Sequence, residues 1–237
     1  MTALRSFPNP SLRGWRFAGT APSASLHYRM MRRFFQVTVS SLLKVRVFNR
    51  HHEPASGGVV YICNHQSFMD PMLMGFALRR PVNFMARDTL FHVPIFKQAI
   101  ASVNAFPVRR GTADTGALKE AMRRLKSGGT VVVFAEGTRT EDGRMGEFLP
   151  GVALLSQRAA DWTVPVVIEG AFDAWPRWQL LPSPGSVVVQ YAPPISQADA
   201  RKMGTAEFVN DVRRQMIEMQ QDIRRRTGRS ELHYDDE

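Results

Sequence analysis

One cysteine, Cys63, stands in 237 residues. A lone thiol excludes an intramolecular disulfide, and nothing in the cysteine usage points to an oxidising compartment. Carboxylates are missing from the leading segment: Glu53 is the first, after nine basic residues (Arg5, Arg13, Arg16, Arg29, Arg32, Arg33, Lys44, Arg46 and Arg50). Long apolar runs are missing too. The charge-free stretch FFQVTVSSLL, 34 to 43, has ten residues, against the ~20 a spanning helix needs. The chain holds no GxGxxG, GxxxxGK[ST] or GxSxG, so dinucleotide, P-loop and nucleophile-elbow readings have no local support. Its six histidines show no metal-ligand spacing with the cysteine, and a structural zinc site is not expected.

The net charge of +10 lies largely in that leading segment. Such a surface seeks an anionic partner: a phospholipid surface, nucleic acid or an acidic carrier. Nucleic acid is disfavoured, because the basic residues interleave with a long apolar face and no recognised nucleic-acid motif occurs. Pro8, Pro10 and Pro22 would interrupt an amphipathic targeting helix. Two readings of the segment stand. Met30, Met31, Phe34, Phe35, Leu42 and Val45 can enter a membrane interface while Arg29, Arg32, Arg33 and Lys44 meet headgroups, or the same helix can pack on the protein's own core.

Past residue 44, short β-branched runs alternate with helical stretches. Strands are expected at 44–48, 59–63, 82–86, 130–135, 164–170 and 186–192, and helices at 71–79, 89–103, 114–126, 151–160 and 205–226. Most of the strands are near-continuous apolar runs, as strands buried on both faces are. This order predicts an α/β fold, a largely parallel (mixed) sheet sandwiched by helices. The acidic tail ELHYDDE is expected to fray.

In YICNHQSFMDP, 61 to 71, His65 and Asp70 lie five residues apart, which on a continuous helix would point them about 140° away from each other. They meet only if the chain turns. Asn64 and Ser67 are turn formers, and Asp70-Pro71 reads as an N-cap followed by proline at the first helical position. His65 then sits at the carboxyl end of a strand, where open α/β sheets place their sites. Two roles remain open: cap and turn residue, or a general base with a carboxylate that fixes its tautomer. Cys63, on the same side of the extended chain as His65, is a conceivable thiol nucleophile; a small buried hydrophobe is the better reading. FAEGTRT, 134 to 140, follows the strongest strand, and its turn can aim backbone N–H groups and Arg139 at an anion. FPVRRG, 106 to 111, brings Arg110 to a similar loop.

Together NHQSFMD (64–70), FPVRRG (106–111), FAEGTRT (134–140) and VPVVIEG (164–170) resemble the four ordered motif blocks of the glycerolipid acyltransferases, the group containing 1-acylglycerol-3-phosphate acyltransferase. The likeness runs from about 44 to 195. It implies a glycerol-3-phosphate acyltransferase-like fold, with His65 as general base and Asp70 as its orienting partner. Arg110 and Arg139 would hold an acceptor phosphate, with Glu136, Gly137 and Thr138 completing the third block. Asn64 and Ser67 would support the turn, and Pro165 would shape the acyl or acceptor pocket. Ala135 and Thr140 depart from the family's proline and serine, which puts local loop rigidity in question.

The implied reaction moves a fatty acyl group from acyl-CoA or acyl carrier protein to a lysophospholipid, first of all 1-acylglycerol 3-phosphate, with no metal or organic cofactor. It would occur at the cytoplasmic face of a membrane, by a peripheral or monotopic protein. Residues 1–43 would be the membrane-associating segment, 44–200 the catalytic domain, and 201–237 a C-terminal helix and tail. The alternatives are another acceptor (lysophosphatidylethanolamine, glycerol 3-phosphate or an amino-acid lipid) or a non-catalytic basic membrane-binding protein.

Overall fold

Apolar runs with no polar interruption cannot leave either face to water, and among the described residues these runs assemble into one eight-stranded sheet with helices on both sides. The computed structural model describes residues 43–89, 104–108 and 114–234, with Arg29, Met30, Arg33 and Val37. The strands are β1 (Leu43–Phe48), β2 (Val59–Cys63), β3 (Val82–Arg87), β4 (Phe106–Val108), β5 (Thr130–Phe134), β6 (Trp162–Glu169), β7 (Gly185–Tyr191) and β8 (Ile195–Ser196). Their order is β1-β7-β6-β2-β5-β3-β4, with β8 beside β6. Every pairing is parallel except those of β6 with β7 and with β8.

Alternation along β2 divides the core. Val59, Tyr61 and Cys63 face a layer containing α1 (Asp70–Ala77) and the short α4 (Ala171–Ala174). Val60 and Ile62 face the opposite layer, built from α2 (Thr115–Lys126), α3 (Gly151–Arg158), α5 (Gln197–Ala200) and α6 (Thr205–Arg226). In α6, Phe208, Val209, Val212, Met216, Met219 and Ile223 form one buried stripe at helical spacing. β6, β2 and β5 are parallel neighbours, so their carboxyl ends, and the loops that follow, lie side by side.

The expected elements appear with shifted ends. The strand expected at 164–170 starts at Trp162 and stops at Glu169, because Gly170 turns the chain away at φ 91°. The helices expected at 71–79 and 151–160 end at Ala77 and Arg158. Val45 does not share the leading helix's apolar face: it pairs with Val187 in β1 and is buried. The helix expected at 89–103, past Thr89, and most of 1–42 lie outside the described residues; Arg29, Met30, Arg33 and Val37 are helical and exposed. Among the described residues no helix is long and apolar enough to cross a membrane.

The tail does not fray through Tyr234. The Leu232 amide donates to Gln221 Oε1 at 3.0 Å, Arg144 donates to the His233 carbonyl, and the Tyr234 hydroxyl donates to Gln220 Oε1 at 2.6 Å. Polar side chains of α6, with Arg144, give these three tail residues partners that composition alone conceals.

Gly58 shows how tightly β2 enters the sheet. Its amide donates to Asp161 Oδ2, its carbonyl accepts from the Asp161 and Trp162 amides, and a Cβ there would stand 2.2 Å from the Leu125 carbonyl oxygen. A Cβ at Gly128 would meet nothing within 4 Å, although φ is +79°. Gly58→Ala should therefore lower stability by about 2 kcal/mol or more through backbone displacement, and Gly128→Ala by about 1 kcal/mol through strain alone. Thermal unfolding of the two variants measures this, with the larger fall in Tm expected for Gly58→Ala.

Candidate active site

β2 and β6 pair as far as Cys63 opposite Val166. Beyond that point the Asn64 side chain continues the ladder, donating from Nδ2 to the Ile168 carbonyl and accepting the Ile168 amide on Oδ1, both at 2.8 Å. The main chain is thereby free to leave the sheet. It turns around Asp70, whose Oδ2 accepts from the Gln66 amide at 2.6 Å, the Ser67 amide at 2.7 Å and His65 Nδ1 at 2.7 Å. Asp70 opens α1, but its carboxylate points back at the loop and makes no cap hydrogen bond within its own helix. The N-cap role is corrected accordingly: the helix begins with Pro71 in its first turn, and the carboxylate serves residues 65 to 67. Ser67 supports the turn, donating from Oγ to the Trp175 carbonyl and accepting the Met69 amide.

The His65 ring stacks on Phe134, centroids 4.1 Å apart, and is almost wholly buried. An acceptor carboxylate opposite Nδ1 fixes the ring proton there, which leaves Nε2 as the basic nitrogen. Cys63 is fully enclosed in the apolar core, and burial, with the nearby Asp70 charge, pushes its thiol well above the usual range. The thiol packs as a small hydrophobe, not as a nucleophile.

The third motif block holds His65 by its backbone. Glu136 Oε1 accepts the His65 amide and the Thr140 amide donates to the His65 carbonyl, both at 2.8 Å. The second oxygen of Glu136 accepts the Gly146 amide, so one carboxyl ties three loop positions together. Burial pushes it up to about 7, although both amides favour the charged form. Ala135, in place of the family's proline, donates its amide to the Cys63 carbonyl at 2.9 Å. A proline could not make that bond. Thr140 Oγ1 accepts the Gly143 amide, and Gly137 takes φ +69° with Leu149 packed where a Cβ would be.

A cleft of about 510 Å³ opens beside this loop, lined by Arg87, Glu136, Gly137, Thr138, Arg139, Leu149 and Arg177. Arg139 lies over the Phe68 ring at 3.5 Å, so the third block and the His65 loop also meet through a cation–π contact. The cleft adjoins His65 without being lined by it; Glu136 belongs to both. Pro165 sits elsewhere, buried inside β6 opposite Ile62, with its carbonyl taken by the Ala192 amide. Arg110 lies outside the described residues.

Sequence reasoning missed the polar cluster behind the loop. Gln66 donates to Glu169 Oε2 and to the Gly143 carbonyl, and its own oxygen accepts the Phe172 amide. Gln220 of α6 donates to the same two acceptors, and Arg224 pairs with Glu169 Oε1. Gln66, Glu169 and Gln220 are fully buried. The available signal was Glu169 itself: a carboxylate ending a continuous apolar strand must find a cation and donors, or the strand could not be buried.

The acyltransferase family model matches residues 44–169, more than half of the chain, including the His65 loop and the third motif block. The chain is 28% identical over 147 residues to the chloroplast 1-acyl-sn-glycerol-3-phosphate acyltransferase of Arabidopsis thaliana, covering 61% of this chain and 41% of that protein. It is 29% identical over 116 residues to the 1-acyl-sn-glycerol-3-phosphate acyltransferase of Bacillus subtilis, covering 48% and 58% respectively. The chain thus spans about half the length of the curated relatives it matches. The crystal structure of the 1-acyl-sn-glycerophosphate acyltransferase of Thermotoga maritima superposes with a TM-score of 0.71 at 24% identity, covering 83% of this chain and 79% of that one, a likeness of fold. With the family model running from β1 through β6, over more than half of the chain, the chain belongs to the acyltransferase family.

Proposed function

We propose that the protein transfers a fatty acyl group from a thioester donor, acyl-CoA or acyl carrier protein, to the free hydroxyl of 1-acylglycerol 3-phosphate, giving phosphatidic acid. The observation that carries this reading is the 2.7 Å contact of His65 Nδ1 with Asp70 beyond the carboxyl end of β2, beside a cleft lined by three arginines. The names of the relatives support the acceptor class.

In this mechanism His65 Nε2 takes the acceptor hydroxyl proton as the oxygen attacks the thioester carbonyl carbon. Asp70 balances the imidazolium charge across the Nδ1 contact. Collapse of the tetrahedral intermediate breaks the carbon–sulfur bond, and the proton on Nε2 passes to the departing thiolate. General-base help of this kind is worth ~10² to 10⁴ in rate. Arg139, with Arg110, holds the acceptor phosphate, whose two charge-assisted contacts position the hydroxyl. Gly137 and Thr138 shape the floor of that anion site, and Glu136 keeps it registered against His65. No step calls on a metal or organic cofactor.

Residues 44–200 form the catalytic unit in this account. Residues 1–43 attach it to the cytoplasmic face of an anionic membrane as a peripheral or monotopic protein, and 201–237 supply the C-terminal helix and tail, of which α6 covers one face of the sheet.

The test is an acceptor panel: purified protein with labelled acyl-CoA or acyl carrier protein and lysophosphatidic acid, lysophosphatidylethanolamine, glycerol 3-phosphate or an amino-acid lipid, products resolved by thin-layer chromatography. Phosphatidic acid is the expected main product. No transfer to any acceptor would end the acyl-transfer reading, and preference for another acceptor would move it within the class.

Two variants probe the roles separately. Asp70→Asn keeps a side-chain oxygen for the loop amides but cannot balance a cationic imidazole, so kcat should fall about 10²- to 10⁴-fold while the melting temperature changes far less. Glu136 has a folded value of about 7 against an ordinary 4.5. Between these values the folded protein keeps a proton that the unfolded chain releases. Its contribution to stability is therefore complete below about 4.5 and is lost as pH rises through about 7. Melting curves across that window should show a wild-type decline with rising pH that Glu136→Gln flattens.

A further inference from the structure

The segment between α4 and β7, WPRWQLLPSPG from Trp175 to Gly185, carries one charged residue, Arg177. Its backbone is fixed by its own hydrogen bonds. The Trp175 indole donates to the Gln179 carbonyl at 2.9 Å, the Gln179 amide to the Pro176 carbonyl, Gln179 Nε2 to Ser183 Oγ at 2.8 Å, and the Ser183 amide to the Ala174 carbonyl at 2.8 Å. Ser67 of the His65 loop ties it down at the Trp175 carbonyl, and Phe68 packs on the Trp175 ring.

A loop so well tied could fold its large side chains inward, yet Trp178, Leu180 and Leu181 stand 65%, 87% and 70% exposed. A single exposed hydrophobe needs no explanation; three within four positions, on a loop closed by its own bonds, do. The patch continues toward the cleft. Arg177 lines it together with Arg87, Arg139 and Leu149, the last 53% exposed, and Phe68 beneath Arg139 is 49% exposed.

We propose that the 175–185 loop is a membrane-docking tip: Trp178, Leu180 and Leu181 enter the headgroup–acyl boundary of an anionic phospholipid surface, and the arginine-lined cleft opens onto that surface. This rests on the acyl-transfer reading for its purpose, since a lipid acceptor could then slide from bilayer to cleft, but not for its measurement. Indole and leucine side chains flanked by guanidinium groups match the depth profile of a bilayer interface, apolar beneath and phosphate above. Arg177 is paired with Glu141, and Arg87 and Arg139 line the cleft with it, against the one lining carboxyl among the described residues, Glu136, which is held by the His65 and Gly146 amides. A second copy of the chain is a poorer occupant. An isologous contact would press two such arginine rims together.

The experiment uses the full chain without donor. Co-sedimentation is measured with vesicles of phosphatidylcholine mixed with phosphatidylglycerol, and with phosphatidylcholine alone, for the wild type and for Trp178→Ser combined with Leu180→Ser and Leu181→Ser. The variant should bind the mixed vesicles at least tenfold more weakly, a loss of about 1.4 kcal/mol. It should melt like the wild type and acylate a short-chain, monomerically dispersed acceptor at an unchanged rate. Brominated lipids should quench wild-type tryptophan fluorescence more than that of Trp178→Phe. Wild-type vesicle binding by the triple variant overturns the proposal, as does a change in gel-filtration mass with vesicle binding intact, which would give the patch to a second copy. Loop-dependent binding by a protein that acylates nothing would keep the docking tip and remove the acyl-transfer reading.

Discussion

Asp70 Oδ2 accepts three hydrogen bonds from within six residues of chain, and the geometry of the whole site follows from that one oxygen. The Gln66 and Ser67 amides satisfied there would otherwise be buried donors without partners, at about 1–3 kcal/mol each. The same oxygen meets His65 Nδ1, so the interaction that shapes the turn also sets the tautomer of its histidine. Structural and chemical roles cannot be separated by location. They can be separated by charge, since backbone amides need only an acceptor whereas an imidazolium needs an anion.

Around this turn, each neighbouring element contributes one clamp. Asn64 continues the β2–β6 ladder with a side chain, Glu136 and Thr140 hold the two backbone groups of His65, and Glu169 anchors Gln66 from behind. The parallel order β6-β2-β5 makes this possible, because it sets three strand ends side by side. α6 enters the same cluster through Gln220 and Arg224. The C-terminal helix lies beyond the residues the family model matches, yet its polar side chains reach within one residue of His65 through Gln66.

Elements were legible in the sequence where pattern and packing coincide. The run VVYIC predicts β2 at its observed ends, and the apolar stripe of 205–226 predicts α6, because each buries the residues its period selects. The turn between His65 and Asp70 was legible from Asn64, Ser67 and Pro71, but the residues alone left the Asp70 carboxylate open between cap and orienting partner, and only the family resemblance aimed it at His65. Cap and clasp use the same residue type at a helix start, and only the competing donors decide between them. Tyr234 was misjudged for a related reason: an acidic, polar tail looks solvated until the partners waiting on α6 and at Arg144 are known. Gln66 and Glu169 were visible as letters and silent as chemistry, since their partners lie more than fifty positions away.

The central claim is that His65 acts as the base in direct acyl transfer. It is tested most directly by the single-turnover rate of acyl transfer from labelled acyl-CoA to 1-acylglycerol 3-phosphate, for the wild type and His65→Ala at equal vesicle binding. The account predicts phosphatidic acid from the wild type and a loss of at least ~10²-fold in the variant, with folding and membrane binding retained. Transfer by His65→Ala at the wild-type rate would contradict it.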